Sequence, residues 1–329
     1  MNNLDKNITL QVTNLHTSFN TFDGKVKAVN GVNLTLRENN ILCLVGESGS
    51  GKSVTALSIL RLISSPGQIT NGEIYFKGKD LLSMSEQDLR KIRGKDIAMI
   101  FQDPTSALNP LLSVGTHMEE MFMAHGTDNK RDIKTKSIEL LKQMDLPHPE
   151  HILKQYPFQL SGGMAQRVMI AMAIIWEPSV LIADEITSNL DVTLQADVID
   201  RIRRLRREKG SSILLITHDM GVVAQIADYV AVMYAGSVVE YAETRELFRN
   251  PKHPYTYALF QTLPRLDNPK QSLRPIRGVP PSLIDLPDQC AFIDRCSKAT
   301  NQCRLKARPD LLETEGGHLV ACYNPISTI

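Results

Sequence analysis

Along the first forty residues apolar and polar positions alternate with period two. Ile8-Thr9-Leu10-Gln11-Val12 and Val32-Asn33-Leu34-Thr35-Leu36 predict two strands, with Phe22-Asp23-Gly24-Lys25 as a turn between them. Four later runs carry almost no polar side chain: Ile41 to Val45, Ile97 to Phe101, Val180 to Ala183 and Ser212 to Thr217. Such runs are expected of parallel strands covered on both faces. Gly72 to Lys79 reads as a short hairpin, and Tyr229 to Met233 with Ser237 to Glu240 as a second, turning at Ala235-Gly236.

Between these strands the period changes. From Thr105 to about Gln159 apolar residues recur at three and four, as in Lys134-Ser137-Ile138-Leu140-Leu141-Met144, and prolines at 147, 149 and 157 divide the segments. Two more helices are predicted, from Ala165 to Ile175 and from Ala196 to Lys209. The second has Ile199, Ile202 and Leu205 on one face, arginines opposite, and Gly210 as its stop. The expected class is α/β: a mixed sheet core, a β subdomain before it, and a helical subdomain inserted at about residues 105–165.

The chemistry is concentrated at strand ends. Gly46 to Ser53 reads GESGSGKS, following an apolar strand and opening a helix at Val54, and fits G-x-x-x-x-G-K-[ST] at every fixed position. Glycines at 46, 49 and 51, with Ser48 between them, let backbone N–H groups converge, and the helix adds its positive end, so the loop is an anion cradle. Lys52 is placed to reach β- and γ-phosphates and Ser53 to hold Mg2+.

A second helix terminus of this kind follows Leu160. Ser161 can cap the helix while Gly162 and Gly163 expose its first amides. One nucleotide rarely needs two cradles, whereas two copies facing each other would use both. At the end of the Val180 strand stand Asp184, able to hold Mg2+ through water, and Glu185, able to polarise an attacking water. His218 ends the Ser212 strand, where ligands bind in parallel sheets. Gln102 ends the Ile97 strand and could hold a metal-bound water, or simply terminate the strand. Phe22, or Phe19, is far enough upstream to fold across an adenine; both could equally pack under the sheet.

Composition narrows the classes. Hydrophobic content of 42% and charged content of 22% over 329 residues suit a globular chain, and a net charge of +1 gives no electrostatic reason to expect nucleic acid. The arginines at 201, 203, 204, 206 and 207 read as a solvated helix face. No apolar run approaches the roughly 18 residues of a membrane span, and MNNLDKNITL lacks a signal-peptide pattern. A cytoplasmic chain touching a membrane only through partners is expected.

In this order and spacing, GESGSGKS, Gln102, LSGGM, VLIADE, Ser188 to Asp191 and His218 resemble the ATP-binding subunits of ABC transporters over about residues 8 to 250. The resemblance implies two subunits closing head to tail, with ATP held between the phosphate loop of one and the LSGGM motif of the other. It implies an adenine-stacking role for Phe22, coupling for Gln102, γ-phosphate contacts in trans for Ser161 and Gly163, and a cross-interface role for Asp191. Departures are Ile186 for a usual proline, Asn189 for a common alanine and Ala165 for a common arginine. Ile186 and Asn189 could loosen the turn that carries Asp191.

Residues 251–329 form the second expected domain after a nucleotide-binding domain at 1–250. Rich in proline and polar residues and opening Pro251-Lys252-His253-Pro254-Tyr255-Thr256, they resemble the C-terminal extension of the oligopeptide, dipeptide and nickel importer branch, as does Met164 for a usual glutamine. That branch implies a motor subunit paired with a similar, non-identical subunit as a heterodimer on the cytoplasmic face of two permeases, served indirectly by an extracytoplasmic solute-binding protein. Peptide is the expected cargo and nickel the alternative; a soluble ABC ATPase outside transport is the reading from another class.

Cys43 lies in a strand as a core residue. Cys290, Cys296, Cys303 and Cys322 fall in the extension as C-x5-C-x6-C-x18-C. A segment of about 80 residues with few large apolar side chains is expected to need a staple. Wide spacing favours an iron-sulfur cluster over zinc, with unliganded thiols as the third option and His318 as a substitute ligand. The family resemblance points to a [4Fe-4S] cluster.

Overall fold

The computed structural model describes residues 7–126, 129–187, 192–263, 275–314 and 316–327. They belong to two compact units, one of Met1–Leu82 with Ile216–Ile329 and one of Ser83–Leu215.

In the first unit β1 (Ile8–Thr21) and β2 (Gly24–Arg37) pair antiparallel, and both run well past the short alternating stretches that predict them. Register shifts explain the difference: the ladder slips between Val12 and Leu15 and between Thr17 and Phe19, so the period-two pattern breaks while the pairing continues. β3 (Ile41–Val45) is buried at all five positions and leads into α1 (Lys52–Ile59). β4 (Gly67–Phe76) and β5 (Lys79–Asp80) turn through Lys77 and Gly78, both at positive φ, and complete a four-stranded sheet in the order β2-β1-β4-β5.

The second unit holds α2 (Glu86–Ile92), β6 (Ile97–Ile100), α3 (Pro104–Ala107), α4 (Val114–Met123), α5 (Lys130–Gln143), α6 (Pro149–Ile152), α7 (Gly162–Ala173), β7 (Val180–Asp184) and α8 (Val192–Lys209). Caps set several helix starts: Ser85, Ser113 and Asn129 each accept a backbone N–H of the first turn. Met118, Phe122, Ile133, Leu141 and Ile152 bury the helices' apolar faces. β6 lies parallel to β7, the order continuing β6-β7-β8 with β8 (Ser212–Thr217), and every residue of β7 and β8 is buried. The α/β class and the helical insertion are as the sequence predicts.

The first unit resumes with α9 (Met220–Ile226), β9 (Tyr229–Tyr234) and β10 (Ser237–Glu243), the last two joined through Ala235 and Gly236 at positive φ. β9 runs parallel to β3. Then come α10 (Thr244–Arg249), α11 (Pro254–Gln261), α12 (Asn301–Leu305), β11 (Leu312–Glu313) and β12 (Leu319–Val320). β12 adds to the edge of β10, pairing Tyr241 with Leu319, and Ile284 bridges to Val26 of β2. The extension thus folds onto its own unit. Leu286, Phe292, Ile293 and Val320 are buried, and Phe292 meets Tyr234 and Tyr255 edge-on.

Candidate functional site

The phosphate loop joins β3 to α1 in the first unit, and its glycines are imposed by crowding. A Cβ on Gly46 would sit 2.1 Å from the Met233 carbonyl oxygen, and one on Gly51 2.2 Å from that of Ala28. Ser48 and Gly49 face outward, Ser53 and Val54 are half-buried, and Lys52 is buried with Nζ donating to the carbonyls of Gly46 at 2.9 Å and Glu47 at 3.0 Å. A buried ammonium spending its donors on loop carbonyls is poised to exchange them for phosphate oxygens. Ser50 Oγ is buried without a hydrogen-bond partner. A glycine cradle, an ammonium and an orphaned hydroxyl form a donor set that fits a phosphate chain and its Mg2+.

Two groups missed by the sequence reading grip this loop. The Tyr255 hydroxyl accepts the Glu47 backbone N–H at 2.9 Å, and burial pushes the Tyr255 phenol pKa up, keeping it neutral. Arg295 forms a two-point ion pair with the Glu47 carboxylate at 2.7 and 2.9 Å. One signal was present: a carboxylate inside an anion cradle calls for a countercharge.

Elsewhere in this unit Phe22 is fully exposed at the β1–β2 turn, whereas Phe19 is half-buried with its ring against Gly67. The ring available for stacking is that of Phe22. His218 is exposed after β8, and the next residue, Asp219, caps α9 by accepting the N–H groups of Gly221 and Val222.

The second unit gathers its own set. Asp184 is buried at the tip of β7, and Glu185 follows in the left-handed region at φ 47°, a conformation unusual for a residue with a side chain. Gln102 Nε2 donates to Glu185 Oε2 at 3.0 Å. Ile186, which replaces the usual proline, is buried, and its carbonyl accepts a hydrogen bond from Gln166 Nε2. Ser161 caps α7 by accepting the Met164 N–H at 3.3 Å, a Cβ on Gly162 would meet open space, and Ala165 is fully buried where an arginine would not fit. Ser188 to Asp191 lie outside the described residues.

The iron-sulfur expectation is corrected. Cys290, Cys296, Cys303 and Cys322 do line one cavity, but its volume is ≈10 Å³, room for about one water and not for a four-iron cluster. Among the described residues no group of three or more His, Cys, Asp or Glu side chains is placed to hold a metal ion. Burial raises the thiol pKa of Cys290 and Cys296, and pushes that of Cys322 up to about 12, so without a metal these thiols stay protonated. His318 is committed to Glu240, at 2.7 Å. The extension needs no such staple because β10, Val26 and the Phe292 cluster hold it.

Residues 29–188 match the family model for ABC transporters, and residues 239–303 that for the C-terminal region of oligopeptide/dipeptide transporters. The dipeptide transport ATP-binding protein DppD of Bacillus subtilis is 45% identical over 95% of this chain and 94% of its own length. The oligopeptide transport ATP-binding protein OppD of Salmonella typhimurium is 43% identical over 98% and 96%. Among solved structures, a dimeric ATP-binding cassette in a post-hydrolysis state with ADP and Pi superposes with a TM-score of 0.65 at 27% identity, over 72% of this chain and 99% of that one. The expected heterodimer is also withdrawn: these relatives are each described as an ATP-binding protein, and nothing in them supports a non-identical partner. Among the described residues no helix is long and apolar enough to cross a membrane.

Proposed function

The chain belongs to the ABC transporter family of ATP-binding subunits, and from that membership we propose that it is the ATP-hydrolysing motor of a binding-protein-dependent importer of di- or oligopeptides. It would sit peripherally on the cytoplasmic face of two membrane-spanning permeases, beside a second ATP-binding subunit, with a solute-binding protein acting from outside. The observation that carries the cargo class is the match of residues 239–303 to the oligopeptide/dipeptide C-terminal region. We assign 1–250 to nucleotide binding and 251–329 to this extension.

Gly46, Ser48, Gly49, Gly51, Lys52 and Val54 form the proposed nucleotide cradle, with Phe22 stacking on adenine. Ser53 in the first unit is a proposed Mg2+ ligand; in the second, Asp184 and Gln102 are proposed to hold Mg2+ through water. Bound Mg2+ would neutralise phosphate charge and polarise the γ-phosphoryl group. Glu185 takes the proton of the attacking water, and the hydrogen bond from Gln102 to its Oε2 helps aim the carboxylate. His218 and Lys52 stabilise charge developing on the phosphoryl oxygens. Ser161, Gly162 and Gly163 are offered to the nucleotide of the partner cassette, and Asp191 to its interface.

Affinity capture of the tagged full chain from gently solubilised membranes, followed by mass spectrometry, tests this assignment. Recovery of two multi-spanning permeases and a peptide-binding protein is expected. A metal-binding protein in that position, or soluble ribosomal or DNA-repair complexes, would contradict the peptide assignment.

A further inference from the structure

We propose that Arg295 of the C-terminal extension is a positioning residue of the phosphate loop, cancelling the charge of Glu47 and holding the loop in its anion-binding shape. This rests on reading the loop as a nucleotide site. Glu47 is the second residue of GESGSGKS, so its carboxylate stands in a loop whose ligand is itself strongly negative. An uncancelled charge there would repel the phosphates and compete for Lys52.

Arg295 answers both needs. Its Nη1 and Nη2 meet the two Glu47 carboxylate oxygens at 2.7 and 2.9 Å, the fork geometry that a guanidinium makes and an ammonium does not. The guanidinium is fixed in turn. Nε donates to the Arg277 carbonyl at 2.9 Å, Nη1 donates to the Tyr234 hydroxyl at 3.1 Å, and the group lies over the rings of Tyr234 and Phe292. The Arg295 side chain is 6% exposed and that of Glu47 23%, so solvent screens the pair weakly.

The backbone of Glu47 is held at the same time. Its N–H goes to the Tyr255 hydroxyl, and its carbonyl accepts from Lys52 Nζ at 3.0 Å and from the Ser50 N–H at 3.2 Å. Displacement of Glu47 therefore moves an acceptor of the lysine that serves the phosphates. Two points of the chain beyond residue 250, Tyr255 and Arg295, grip one loop residue. This gives the extension a direct part in nucleotide affinity.

The test is calorimetric titration of the purified full chain with ATP and Mg2+, for wild type, Arg295→Met, Arg295→Lys and the double variant Glu47→Gln/Arg295→Met. Methionine keeps the stem's packing on Phe292 but leaves Glu47 uncancelled, and ATP affinity should fall about tenfold or more, most at low salt. Lysine restores charge without the fork and should give an intermediate affinity. Removing both charges should return the dissociation constant to within about threefold of wild type, a recovery that lost packing does not predict. Wild-type affinity in Arg295→Met, or a double variant as weak as Arg295→Met, overturns the proposal. A wild-type chain that takes up no ATP overturns the nucleotide reading and this inference with it.

Discussion

Gln102 and Glu185 come from the ends of two parallel strands, β6 and β7, and meet through one hydrogen bond of 3.0 Å from Nε2 to Oε2. The amide is exposed and the carboxylate half-buried with its backbone in the left-handed region, and this bond helps orient the carboxylate. A loop that moved Gln102 would change the aim of Glu185.

Gln102→Ala removes this donor and loosens the aim of the carboxylate. A hydrogen bond to a charged group, discounted for exposure, corresponds to about a tenfold loss of kcat. The KM for ATP should rise by no more than about threefold, because Gln102 would reach the Mg2+ only through water and the phosphate-loop donors are untouched. Steady-state hydrolysis kinetics check both numbers, and an unchanged kcat would detach Gln102 from the base.

Tyr255→Phe tests the other grip on the phosphate loop. The Glu47 N–H loses its acceptor while the ring packing on Tyr234 and Phe292 is kept. An abandoned, part-buried donor costs on the order of 1 kcal/mol. Urea unfolding should show that loss, together with weaker ATP binding.

The same corner of the fold carries a pH dependence. His253 Nδ1 accepts the Tyr255 N–H at 3.0 Å, so its ring must keep a lone pair there. Burial pushes its pKa down to about 4, against an upward pull from Glu240. In the unfolded chain the ring titrates near 6.5. The neutral ring is the folded form, so its contribution is complete above pH 6.5 and is lost as pH falls from there through about 4, at roughly 1.4 kcal/mol per pH unit. His253→Asn, which keeps an acceptor that does not titrate, should flatten the pH profile of the unfolding free energy in this window. Equal slopes for the two proteins would show that other groups set it.

Most of the framework is legible because its signals are local. β3 is a continuous apolar run, β7 and β8 are apolar from Val180 to Ala183 and from Ile213 to Ile216, and Gly46 and Gly51 stand where any side chain would strike a backbone carbonyl. The lengths of β1 and β2 are not legible, since bulges break their alternation. Nor is the clasp on Glu47: Arg295 is 248 positions away, and only the folded chain brings them together. The cysteines mislead for a related reason. Their spacing invites a staple when the extension is taken alone, and its partners β10 and Val26 lie elsewhere in the sequence.

As a motor, this chain should depend on Glu185 for ATP hydrolysis. ATP binding and ATP turnover should be measured side by side for wild type and Glu185→Gln. The amide keeps the shape and the contact to Gln102 but cannot take a proton. Wild-type affinity for ATP with turnover reduced at least ~100-fold is expected. Turnover within a few-fold of wild type would contradict it, placing the base elsewhere.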